Sequence, residues 1–120
     1  MNRYIIYFIT LLLPIFLQAQ NEVCLNIEEN PNPMDIALND FTKYVNVLDC
    51  FHIYAESSIS DDKILHAASV AAELLDNNED GIIDDHLIEI ALQSSNAMMP
   101  IFNNEWSPGM DDVWEHYDGC

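Results

Sequence analysis

The sequence predicts a mainly α fold with a short β element, an α+β domain organised around a helix–loop–helix core. Three features of the chain carry this expectation. Ile64, Leu65, Ala68, Val70, Ala71, Ala72, Leu74 and Leu75 form an apolar stretch dominated by strong helix formers. Leu87, Ile88, Ala91 and Leu92 repeat at helical spacing. Between them, residues 76–85 hold five acids, no base and Gly81, one of only three glycines in the chain.

Taken in order, the first twenty residues read as a signal peptide. Arg3 supplies a short positive region, Tyr4 to Leu17 is an almost unbroken apolar run, and Gln18-Ala19-Gln20 suits processing near Ala19 or Gln20. The apolar run of about 14 residues falls short of the roughly 20 that span a bilayer as a helix. The expected destination is secreted or periplasmic. Residues 21–33 form an irregular lead-in, because Asn30-Pro31-Asn32-Pro33 opposes regular structure. Residues 34–120 then make a single small domain. It opens with a short helix or turn near 34–42 and a strand near 46–54, where Tyr44 to Tyr54 is rich in β-branched and aromatic residues.

Ser60 or Asp61 caps a helix over 62–75, and Asp84 or Asp85 caps a second over 86–94. Both helices and the loop between them lie within 62–94. The apolar segment 97–102 contains Pro100 and is at best an edge strand. Ser107-Pro108-Gly109 is a turn, and Met110 to Tyr117 a short acidic helix or tail.

Composition narrows the partners. All 21 acids follow residue 20, against two bases there, Lys43 and Lys63, and the whole chain carries a net charge of −18. Nucleic acid and anionic membrane surfaces bind through Lys and Arg that this chain lacks. In an oxidising compartment Cys24, Cys50 and Cys120 allow three pairings, each leaving one thiol that can bridge to a protein partner in a disulfide-linked dimer.

The acidic loop has the chemistry of a hard-cation site. Oxygen-bearing side chains stand at loop positions 1, 3, 5 and 9, a glycine at 6 and an aliphatic Ile83 at 8. Ca²⁺ takes six to eight oxygens at roughly 2.3–2.6 Å, and five acids in ten residues repel one another unless a cation lies among them. The pattern Asp76-x-Asn78-x-Asp80-Gly81-x-Ile83-Asp84, with a helix expected on each side, resembles the calcium loops of the EF-hand superfamily. It is also similar to dockerin-type and thrombospondin type 3 loops. The resemblance implies side-chain ligation by Asp76, Asn78 and Asp80, a backbone carbonyl from Ile82, and Asp84 acting directly or through water. Leu87 stands where an EF-hand places its bidentate glutamate. Asp85, Glu89 or a water would complete the shell, with affinity at the weak end. A fainter resemblance, carried by Ile53-Tyr54-Ala55, His66-Ala67-Ala68 and Leu75-Asp76-Asn77, is to secreted bacterial proteins of unknown function.

The expected function is that of an exported acidic protein holding one structural Ca²⁺. The alternatives are a calcium-dependent interaction or adhesion module, or the N-terminal part of a secreted hydrolase. Nothing in the sequence argues strongly for an enzyme. His52, His66, His86 and His116 form no ligand pair, no nucleophile elbow or phosphate-cradling loop is present, and Cys50 and His52 at i and i+2 read as structural rather than catalytic. Trp106, Trp114 and Tyr117 suit core or tail packing better than an aromatic binding patch.

Overall fold

A computed structural model describes residues 23–117, so the expected signal peptide and Cys120 lie outside the described residues. The chain forms β1 (Glu28–Glu29), β2 (Lys43–Val47), β3 (Phe51–Ala55), α1 (Asp61–Leu75), α2 (His86–Ser95), β4 (Met98–Ile101) and α3 (Gly109–His116). The strands make one mixed sheet in the order β1-β2-β3-β4, antiparallel except for the parallel β3–β4 pair. This α+β architecture overturns the mainly α, helix–loop–helix core expected from the sequence. The physical reason is burial. α2 contains no buried residue, and Leu87 is 77% exposed, so its apolar stripe builds no core with α1. The core lies instead on the two faces of the sheet.

Alternation along the β2–β3 hairpin sorts its side chains between those faces. Val45, Val47, Ile53 and Ala55 point to one side, where Ile64, Ala68 and Ala72 of α1 pack against them. The small alanines at i+4 and i+8 from Ile64 let the helix lie close to the strands. Tyr44 and Tyr54 point to the other side, joining Ala37, Leu38 and Phe41 from the turns before β2 and Val113 from α3. Gly109 lets α3 approach those turns, because a Cβ there would stand 3.0 Å from the Asp40 side chain.

The single strand expected near 46–54 is two strands joined by a tight turn. Leu48 and Asp49 both have positive φ (51° and 55°), and Cys50 N–H donates to Val47 O at 3.2 Å. The lead-in is not wholly irregular, since Glu28–Glu29 pair with β2. Residues 34–42 are a chain of turns held by Asn30, whose Nδ2 donates to Leu38 O (2.7 Å) and Phe41 O (2.9 Å). α1 and α2 keep their expected places to within a residue or so, and β4 is an edge strand. Among the described residues no helix is long and apolar enough to cross a membrane.

Ile53 and Ile64 are both fully buried where sheet and helix meet. Truncating either to alanine removes apolar contact and leaves a cavity, so Ile53→Ala should cost about 2–5 kcal/mol in urea unfolding. A loss below about 0.5 kcal/mol would mean the sheet–helix interface is not the core.

Candidate metal centre

The acidic loop starts where α1 ends. Asp76 closes the helix, its N–H donating to Ala72 O at 2.8 Å, and it is only 2% exposed. Its carboxylate accepts the N–H of Asp80 on Oδ1 (3.2 Å) and that of Gly81 on Oδ2 (2.6 Å). Asn78 Oδ1 accepts the Asp80 N–H at 3.0 Å, and Asp80 Oδ1 accepts the Ile82 N–H at 2.9 Å. Asp84 Oδ2 accepts the Asn77 N–H at 2.9 Å, while the Asp84 N–H donates back to Leu75 O at 2.9 Å and ties the two ends of the loop together. Gly81 takes φ 83°, a conformation that costs glycine nothing. Ile83 is buried and anchors the loop to the fold.

Backbone amides therefore hold Asp76, Asn78, Asp80 and Asp84 in fixed turns. Asp80 Oδ2 and Asp84 Oδ1 accept no hydrogen bond from the described residues. Ile82 is 68% exposed, and its N–H serves the Asp80 turn. Asp85 stands apart from these four. Its Oδ1 accepts from Leu87 N–H (2.9 Å) and Ile88 N–H (3.4 Å), so of the two caps open to α2 it is the one used. Glu89, a further candidate to close the shell, has Oε2 3.0 Å from His86 Nδ1. Among the described residues no three His, Cys, Asp or Glu side chains converge as a metal-holding group. The loop's donors are oxygens throughout, the chemistry that Ca²⁺ and Mg²⁺ prefer. Among the described residues the ion pairs are Lys43–Asp61 and His86–Glu89, so no protein cation compensates the buried Asp76.

Cys24 and Cys50 are both free thiols, so the Cys24–Cys50 pairing is not formed. The Cys50 Sγ lies 3.8 Å from Val47 O, and burial, reinforced by Glu89 and Asp49, pushes its thiol up. The thiol is buried in the core, where its surroundings favour the protonated form.

A second polar cluster, which sequence reasoning missed, lies on the sheet face away from α1. Tyr44 OH and His52 Nδ1 are 2.8 Å apart, with their rings stacked. Burial pushes the His52 imidazole below its usual range, against a smaller opposing pull from Asp49, and burial likewise pushes the Tyr44 phenol up. Both shifts favour neutral groups, which share one hydrogen bond between the Tyr44 hydroxyl and His52 Nδ1. Alternation of Tyr44 and of His52-x-Tyr54 along the two strands was the available signal. Taking the hairpin as one strand concealed that the turn folds Tyr44 back beside His52 and Tyr54.

Compared with known protein families, curated proteins and solved structures, the chain matches none.

Because the folded pKa of His52 lies below its ordinary 6.5, the unfolded chain binds that proton more readily. The stability of the wild type relative to His52→Gln should therefore hold above pH 6.5 and decline as pH falls below it. Urea unfolding of both proteins across that range reads the difference directly. A difference that stays flat, or grows toward acid, contradicts a buried neutral imidazole.

Proposed function

We propose that this chain is a small exported acidic protein that binds one Ca²⁺ through residues 76–85, and that the ion is structural. The observation that carries this reading is Asp76. Its carboxylate is 2% exposed at the mouth of an all-oxygen loop, with no cation of the described residues beside it. Burying a carboxylate without a compensating charge is costly, even when amides donate to it. A divalent ion drawing on Asp76, Asn78, Asp80, the Ile82 carbonyl and Asp84 would offset that cost and the repulsion among the loop's acids. Asp85 serves best as the cap of α2, which leaves water or Glu89 to close the shell in place of the glutamate that Leu87 replaces. Such a shell binds weakly, at about 10⁻⁴ to 10⁻³ M.

The bound ion would stabilise the fold by RT ln(1 + [L]/Kd), about 1.4 kcal/mol at ten times Kd. A calorimetric titration of Ca²⁺ in ~0.15 M salt, where screening suppresses loose counter-ion binding, should give one saturable site per chain. Mg²⁺ should bind less tightly, and Asp76→Asn and Asp80→Asn should lose the calcium-dependent stabilisation. Identical melting of the wild type in calcium and in chelator would end this reading.

A calcium-dependent interaction module is the second reading. Leu87, Ile88 and Ile90 are 77%, 47% and 48% exposed on α2, directly after the loop. Sedimentation in calcium and in chelator, each under reducing and oxidising conditions, separates an ion-dependent association from a disulfide-linked one.

A further inference from the structure

On the face of the sheet opposite α1, a hollow of about 280 Å³ opens between the strands, the turns before β2 and the end of α3. Its floor is Tyr44, His52, Tyr54 and Met98, and Asp35 and Tyr117 stand at its rim. The polar atoms are paired in a ring around it. Tyr44 OH meets His52 Nδ1 at 2.8 Å, Asn32 Nδ2 donates to Tyr54 OH at 2.9 Å, and Tyr117 OH donates to Asp35 Oδ2 at 3.2 Å. A second hollow of about 270 Å³ adjoins it, sharing Asn96, Met98 and Tyr117 and continuing along Pro100, Phe102 and Trp114. The pair makes one groove, with a polar aromatic end and an apolar end. The Trp114 ring, 65% exposed, flanks the apolar end.

The charges around this groove decide what it can take. Among the described residues its lining contains no Lys or Arg, and Asp35 is the one carboxylate of both hollows. The net charge of −18 adds a long-range potential that repels anions and concentrates cations. The faces of tyrosine and tryptophan rings carry negative quadrupole density that attracts a cation within about 6 Å of the ring centre. A neutral ligand would gain nothing from the field and at most a hydrogen bond from Asp35. We propose that this groove binds a small organic cation with an apolar body, an alkyl- or aryl-ammonium, whose charged head lies at the Asp35 and tyrosine end and whose body lies along Phe102 and Trp114. His52 supports this assignment, because burial keeps its imidazole from adding a competing positive charge. The groove and the acidic loop are separate. The hollow opens on the face away from α1, and none of residues 76–85 lines it.

The test is an amide chemical-shift titration of the full chain with benzyltrimethylammonium, in chelator and ~0.15 M salt so that neither the calcium loop nor loose ion binding contributes. Benzyl alcohol serves as the neutral probe, phenylacetate as the anionic one and methyl glucoside as a carbohydrate. The cation should bind saturably, with the largest shifts at Tyr44, His52, Met98 and Trp114. The neutral and anionic probes should bind at least about fivefold more weakly, the scale of one cation–π or charge contact. Asp35→Asn and Trp114→Ala should each weaken the cation by a similar factor. Equal binding of cation and benzyl alcohol, saturation by methyl glucoside in place of the cation, shifts spread over the acidic surface, or no saturation would each overturn the proposal. The comparison of probes on the wild type stands even if a variant fails to fold.

Discussion

The β2–β3 hairpin is the constraint on which the rest of the structure depends, because its alternating residues serve two cores at once. Val45 and Ile53 face each other across the ladder and are completely buried against α1. Tyr44 and Tyr54, the next pair, are buried on the opposite face. A slip of one residue in this register would turn the tyrosines into the α1 interface and the aliphatic residues into the groove. The register is held by the turn at Leu48–Asp49 and, at the other end, by Lys43. Its Nζ donates to Ile59 O at 2.6 Å and pairs with Asp61 Oδ1 at 2.7 Å. One of the chain's few cations is thus spent fastening the hairpin to the start of α1.

With so few bases, the backbone becomes the chief partner of the carboxylates. Asp35 accepts the Ala37 N–H, Glu56 accepts the Asn103 N–H, and Asp76, Asp80, Asp84 and Asp85 all accept amides in or beside the loop. Amide donors orient a carboxylate but leave its charge in place. Exposed acids are served well enough by water. At Asp76, which is buried, the same solution leaves a net charge inside the protein, and this separates it from the other acids.

How much of this was legible in the sequence follows from where the information lies. α1, α2 and the loop were readable because helix propensity, capping residues and alternating oxygens around a glycine are local signals. The cap at Asp85 belongs to the same class. The hairpin was not readable, because its turn places Leu48 and Asp49 at positive φ, where Asn-Gly or Gly-Gly would have announced it. The fold class failed for a related reason. The α2 stripe looks like a core face, yet only tertiary contacts decide whether such a stripe is covered, and here Leu87, Ile88 and Ile90 remain exposed. β1, two residues long, and the parallel pairing of β3 with β4 are set by partners distant in sequence.

That parallel pairing gives the acidic loop its structural leverage. Two parallel neighbours need a crossover, and here the crossover runs through α1, the loop and α2 before returning to β4. The return is closely specified. Asn96 ends α2 at φ 50°, the Ala97 N–H bonds to Leu92 O at 3.0 Å, and Ala97 O receives the His52 N–H at 3.0 Å. β4 then supplies Met98 and Pro100 to the groove on the far face. α2 contributes no buried residue to hold the crossover in place, so apart from the Gln93 Nε2 bond to Asp49 O (3.4 Å) its position relies on its two ends. One end is the Ala97 junction with the sheet. The other is the loop, where beside buried Ile83 and the Asp84–Leu75 backbone bond the ties run from backbone amides to mutually repelling carboxylates. An ion bound at Asp76 would fasten that weaker end, which is the physical sense in which calcium would be structural here: it would fix the connection that delivers β4 to the sheet.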